Sequence, residues 1–107
     1  MKKALDIPAT FTLGGRTWQV IEEDQSSIKE DIGFGCEIYD MAQIFLYRNN
    51  LGHPVPDERK EYTYVHEIVH AALDELCYKE LSNDEAFVNR LSHALHQILT
   101  TGEGTLE

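Results

Sequence analysis

The sequence predicts an α+β fold in which a small antiparallel sheet of three to four strands packs on two main helices. Apolar residues in the first half of the chain alternate with polar ones at the period of a β-strand. From Asp57 onward the apolar period becomes helical. With 107 residues, 42% of them hydrophobic, the chain has the size of one small domain with a modest core. We therefore treat residues 1–107 as a single domain.

Residues 9–22 predict a β-hairpin. Phe11 and Leu13 alternate with threonines, a Gly-Gly pair supplies a two-residue turn, and the alternation resumes at Trp18. The polar residues 23–34 that follow are interpreted as a connection, with room for one helical turn.

A second strand pair is predicted over Cys36–Tyr39 and Gln43–Arg48, because both segments are rich in β-branched and aromatic residues. Ile44 and Leu46 would share one face of the second strand. The next segment, residues 49–56, contains two prolines and a glycine and is expected to end regular strand structure.

Two helices are predicted in the second half of the chain. The first runs from Asp57 to about Leu76, with an apolar stripe at Val65, Val69, Ala72 and Leu76. The second begins near Ser82, where Ser82-Asn-Asp-Glu85 has the form of a capping box, and stops at Gly102. Its predicted apolar face consists of Phe87, Val88, Leu91, Ala94, Leu95 and Ile98.

Charge and cysteine content narrow the class of protein. Nineteen acidic residues against nine basic ones give a net charge of −10, which argues against nucleic acid or an anionic membrane as the main partner. Cys36 and Cys77 lack the spacing of a disulfide framework or a thiolate metal cluster. No apolar stretch resembles a signal peptide or a membrane span, so we expect a cytoplasmic protein with free thiols. The oligomeric state is not predicted.

The chemistry-bearing motif is His66-Glu67-Ile68-Val69-His70 on the first predicted helix. Residues four apart on a helix lie on the same face, so both imidazoles could bind one metal ion. Glu67 lies about 100° further round, where it could reach a water on that ion without binding the ion itself. Both histidines fall at the edge of the apolar stripe, as expected of ligands between a core and a cleft. Two imidazoles, a Lewis-acidic cation and a carboxylate base are the components of metal-assisted hydrolysis.

A catalytic zinc site needs a third protein ligand, and four residues are candidates. Asp74 lies on the line of the two histidines, but a straight helix does not usually bring three successive turns to one ion. On the second helix, His93 points away from the apolar face, and His96 and Glu85 lie at about 130° and 110° from its centre. Tight antiparallel packing would bring residues 92–96 toward the motif, whereas a steep crossing would bring Glu85. Glu85 is also the capping-box partner of Ser82, so ligand and cap compete for one carboxylate.

The segments Tyr64–Leu76 and Asn83–Asn89 resemble the small gluzincin-like metallopeptidases of phages and their bacterial hosts. That group is similar to the metallopeptidase domain that cleaves repressors of mobile elements. The resemblance implies a zincin-like fold and Zn²⁺ as cofactor, with His66, His70 and Glu85 as metal ligands and Glu67 as general base. It also implies that residues 43–48 form the edge strand along which a peptide or protein substrate binds.

Two other classes of function remain open at the level of sequence. In the first, zinc ties the helices together in a non-catalytic regulatory or interaction protein of phage or mobile-element origin, with His96 as a possible fourth ligand. In the second, the chain binds no metal and presents an acidic surface to a basic partner. The expected function is zinc-dependent hydrolysis of peptide bonds, with Tyr47, Tyr62 and His96 as candidates for stabilising the oxyanion.

Overall fold

A computed structural model describes residues 4–25 and 33–106 and has an α+β architecture, as predicted. The strands are β1 (Thr10–Leu13), β2 (Arg16–Glu23), β3 (Gly35–Ile38), β4 (Gln43–Tyr47), β5 (Asn49–Asn50) and β6 (His53–Pro54). The helices are α1 (Asp57–Glu75), α2 (Lys79–Ser82) and α3 (Glu85–Thr101), and a 3-10 turn spans Tyr39–Met41. The predicted helical turn in the connection falls mainly on residues 26–32, which lie outside the described residues.

The N-terminal hairpin is present with the predicted two-residue glycine turn. β1 and β2 are antiparallel, and the turn between them consists of Gly14 and Gly15 with φ of 62° and 76°. Two consecutive residues with positive φ form the type of turn that matches the twist of a hairpin, and glycine adopts this conformation without a steric cost. Trp18 of β2 is fully buried at the centre of the core.

The main sheet is mixed, which corrects the prediction of an antiparallel one. Its strand order is β1-β2-β4-β3, with β2 and β4 parallel and β3 and β4 antiparallel. β4 is the most apolar strand, and Ile44, Leu46 and Tyr47 are almost completely buried. A strand of this kind gains most free energy in the interior of a sheet, where neighbours cover both of its edges.

β3 therefore forms the edge of the sheet, and the prediction that residues 43–48 form an edge strand is wrong. Both edges of β4 are already hydrogen-bonded to neighbouring strands, so an extended peptide cannot pair with it. The segment after β4 also differs from the prediction, because residues 49–54 form a short ladder between β5 and β6.

Helix α1 packs on the sheet through the predicted stripe, with Val65 and Val69 buried. The stripe ends earlier than predicted. Leu76 lies beyond the last turn and is 64% exposed, because Cys77 adopts a left-handed conformation (φ 65°) that stops the helix.

Helix α3 faces α1 with a different side from the one predicted. Its buried residues are Val88, Ser92, His96 and Thr100. This stripe is rotated by about a third of a turn from the predicted apolar face, and Ile98 and Leu99 remain exposed. The rotation turns the first residue of α3, Glu85, toward α1.

Candidate metal centre

The two histidines of the motif lie side by side on α1. Their ring centroids are 4.9 Å apart, and the side chains of His66 and His70 are 17% and 15% exposed. Burial, followed by the proximity of His70, lowers the pKa of His66, so the imidazole that binds metal ions is the favoured form at neutral pH.

Glu85 completes a group of three ligand atoms. Its carboxylate oxygens lie 3.6 Å from Nε2 of His66 and 3.2 Å from Nε2 of His70. Two ligand atoms bound to one tetrahedral zinc ion at about 2.0–2.1 Å lie about 3.3 Å from each other. One nitrogen or oxygen atom from each of the three residues lies within 4.8 Å of the others. The donor set and its spacing therefore fit a zinc ion.

The residue at which α3 begins shows that Glu85 is not part of the helix cap. The capping-box prediction is wrong, because Ser82 belongs to α2 and the N-cap of α3 is Asp84. The Asp84 carboxylate accepts a hydrogen bond of 3.1 Å from the backbone N–H of Phe87. The carboxylate of Glu85 has no part in this cap and faces the two histidines.

The other ligand candidates lie elsewhere. Asp74 pairs with Lys79 at 3.4 Å, and the ring of His93 packs at a tilt against Tyr62 with ring centroids 4.4 Å apart. His96 is buried, with Nε2 3.4 Å from a carboxylate oxygen of Glu61. In the described part of the chain, the group around the motif therefore contains three candidate ligands and no fourth.

The helices α1 and α3 are antiparallel, and yet Glu85 reaches the motif. Neither of the two packing alternatives anticipated this combination. Glu61 faces His96, and His70 faces Glu85. The point in the chain midway between such facing partners therefore lies nearer to α1 than the middle of the connection between α1 and α3 does.

Ser82 holds the second nitrogen of His70. Its hydroxyl lies 3.1 Å from Nδ1 of His70, and Ser82 itself is only 4% exposed. A hydrogen bond at Nδ1 fixes the ring orientation and leaves Nε2 directed at Glu85. No spacing in the sequence indicates this contact, and the sequence pattern around Ser82 predicts a helix cap instead.

Replacing Ser82 with alanine is expected to weaken zinc binding by tenfold or more, because the imidazole of His70 loses its orienting partner. Competition with a chromogenic chelator measures the affinity. Ser92→Ala is the matched control: Ser92 is also fully buried on a helix, and its hydroxyl has no hydrogen-bond partner among the described residues. Equal zinc affinity in the two variants would contradict the role of Ser82.

Glu67 is buried beside the candidate metal centre and is only 8% exposed. Burial, followed by the negative charges of Glu37 and Glu85, raises its pKa from 4.5 to about 8. The pKa of Glu37 on β3 is raised to about 7, by burial and by a hydrogen bond with Asp74. The sequence motif predicted Glu67 as a base but gave no indication that Glu37 lies nearby.

The metal-free protein is expected to lose stability through Glu67 as the pH rises from 5 to 8. In this range the folded state retains a proton that the unfolded state has released, so the free energy of unfolding falls with rising pH. In urea unfolding with a chelator present, the free energy of unfolding of Glu67→Gln should exceed that of the wild type. The difference should grow with pH and reach on the order of 3 kcal/mol at pH 8. His66 titrates in both proteins, so the difference reports Glu67 together with its effect on the neighbouring Glu37. A difference independent of pH would contradict the assignment.

A cavity of about 270 Å³ opens beside His66 and Glu67. The strand side of its wall is Gly33, Phe34 and Gly35, and the helix side consists of Arg59, Tyr62, Thr63, His66, Glu67 and Asn89. Burial is the main cause that raises the pKa of Tyr62, so its phenol stays protonated and can donate a hydrogen bond. Of the three candidates for stabilising an oxyanion, Tyr62 is the one that lines this cavity.

Comparisons of the chain with models of protein families, with curated proteins and with solved structures found no match. Among the described residues, no helix combines the length and apolar character that crossing a membrane requires. Any statement about function must therefore rest on the site itself.

Proposed function

We propose that this protein is a zinc-dependent metallopeptidase with His66, His70 and Glu85 as metal ligands. The observation that carries the proposal is the convergence of these ligand atoms from two helices, next to a buried glutamate and an open cavity. When bound, Zn²⁺ would supply Lewis acidity to the scissile carbonyl and to a water molecule. Three protein ligands are typical of catalytic zinc sites, whereas structural sites have four.

The chain's own residues supply the remaining functions. Glu67 acts as the general base that takes a proton from the attacking water and passes it to the leaving amine. In the metal-free protein the pKa of Glu67 is about 8, and the positive charge of a bound metal ion would lower it toward the carboxylate form that accepts the proton. Tyr62 donates a hydrogen bond to the developing oxyanion, and Ser82 keeps the ring of His70 in place.

Peptide bonds are the proposed substrate because an extended chain fits the outer edge of β3, which no other described strand covers. The backbone N–H of Tyr47 donates to the carbonyl of Phe34 at 3.0 Å, so Phe34 and Cys36 bond to β4. In an antiparallel ladder these positions alternate, and the backbone groups of Gly35 and Glu37 therefore point away from β4. A substrate paired there would pass the cavity that contains His66 and Glu67.

The proposal is tested by metal-dependent hydrolysis of unstructured peptides. Protein stripped of metal with a chelator should be inactive, and adding one equivalent of Zn²⁺ should restore cleavage, detected by mass spectrometry. A zinc-binding protein that cleaves no peptide would favour the non-catalytic alternative. We further propose a cytoplasmic location, in agreement with the lack of a disulfide bond in the described part of the chain.

A further inference from the structure

Among the described residues that line the cavity beside the motif, Arg59 is the one that carries a permanent positive charge. It also lines a second cavity of about 610 Å³, which continues between the start of α1 and the end of α3. Tyr62 borders both cavities as well. Arg59 therefore lies where the two cavities meet, in a groove that leads away from the candidate metal centre.

Two aromatic rings hold the guanidinium of Arg59 in this groove. Its central carbon lies 5.0 Å from the ring centroid of Phe34 and 5.6 Å from that of Tyr62. Contacts with ring faces leave the N–H groups at the edge of a guanidinium available for hydrogen bonds. Arg16 and Arg48 pair with carboxylates of the protein, but Arg59 has no such partner among the described residues. On a chain of net charge −10, this arrangement leaves a positioned cation facing the groove.

The position of Arg59 sets its distance from the reaction. It precedes His66 by two turns of α1, which is about 10 Å along the helix axis. An extended peptide rises by about 3.3 Å per residue. The guanidinium therefore lies at the level of a substrate residue two or three positions from the scissile bond.

We propose that Arg59 binds a carboxylate of the substrate peptide at this position and so determines specificity. The inference rests on the proposed peptidase function. A guanidinium recognises a carboxylate through two parallel hydrogen bonds, which gives direction as well as attraction. Because the net charge of the protein repels acidic peptides in general, a preference for a carboxylate at one position requires a local cation. The carboxylate is either an acidic side chain or the C-terminus of the peptide.

The test measures peptide binding in the zinc-loaded Glu67→Gln variant, so that it does not depend on turnover. The probes are unstructured peptides labelled with a neutral dye and amidated at the C-terminus, with a single Asp, Asn or Lys moved along the chain. One further peptide carries Asn and a free C-terminal carboxylate. Fluorescence anisotropy gives the affinities, and cleavage by the wild type locates the scissile bond.

At one position, two or three residues from the scissile bond, Asp is expected to bind about tenfold more tightly than Asn. Arg59→Gln should remove this ratio, and Arg59→Glu should shift the preference to Lys. Arg90→Gln is the matched control, because Arg90 is exposed on α3 and lines neither cavity. Tighter binding of the free C-terminus would identify that group as the carboxylate and also support the proposal.

Equal affinity for Asp and Asn peptides at every position, with the free C-terminus giving no gain, would overturn the inference. Loss of the preference in Arg90→Gln to the same extent as in Arg59→Gln would overturn it too. Neither result affects the peptidase proposal, which stands or falls with zinc-dependent cleavage by the wild type. If no peptide is cleaved but the Arg59-dependent preference persists, the peptidase proposal fails and the carboxylate site remains.

Discussion

The Glu67→Gln variant is expected to keep its zinc and to lose hydrolytic activity by a factor of at least about 100. Glutamine has nearly the same shape as glutamate, so the packing of this buried position should persist. The amide cannot take a proton from water, and the general base is therefore absent. Because Glu67 is not among the three proposed ligands, zinc stoichiometry should match that of the wild type.

Turnover of a cleavable peptide and zinc content by mass spectrometry are measured on the same samples. Glu80→Gln is a suitable control, since it makes the same change of charge at an exposed position in α2. Unchanged turnover in Glu67→Gln would remove Glu67 from the mechanism. Loss of zinc would instead assign Glu67 a role in binding the metal.

Glu85→Ala is expected to lower zinc affinity by at least about tenfold, because the site then retains only His66 and His70. The neighbouring variant Asp84→Ala removes the same charge one residue earlier. It is expected to keep the zinc affinity but to lower the free energy of unfolding by about 1 kcal/mol, since the N-cap hydrogen bond to Phe87 is lost.

This pair separates the two roles that the sequence assigned to one carboxylate. Chelator competition measures affinity, and urea unfolding of the metal-free proteins measures stability. Equal zinc affinity in both variants would show that Glu85 is not a ligand. A loss of zinc affinity in Asp84→Ala as large as in Glu85→Ala would show that the start of α3, and not the Glu85 side chain, determines binding.

Local patterns predicted the parts of the fold that depend on local physics. The Gly14-Gly15 turn and the helical stripe at Val65 and Val69 are both present, because turn conformation and amphipathic periodicity depend on residues that are close in the sequence. The fold class follows from the same patterns. The positions of His66, Glu67 and His70 on α1 follow from helical geometry alone.

Tertiary packing determined what the sequence did not predict. Strand order depends on which strand is best buried on both edges, so β4 lies inside the sheet and β3 takes the edge. The face that α3 presents to α1 contains Ser92 and His96, and hydrophobic periodicity could not indicate so polar an interface. The contact between Ser82 and His70 joins two separate helices, so no local pattern indicates it. The sequence therefore assigned Ser82 to a helix cap. The proximity of Glu37 to Glu67 likewise depends on how β3 packs against α1.

The central claim is that His66, His70 and Glu85 together bind one metal ion, and native mass spectrometry of the purified protein tests it most directly. After removal of metal and addition of excess zinc followed by desalting, the wild type should carry one zinc ion per chain. His66→Ala and His70→Ala should carry none under the same conditions. A wild type without zinc, or zinc retained in both histidine variants, would contradict the claim.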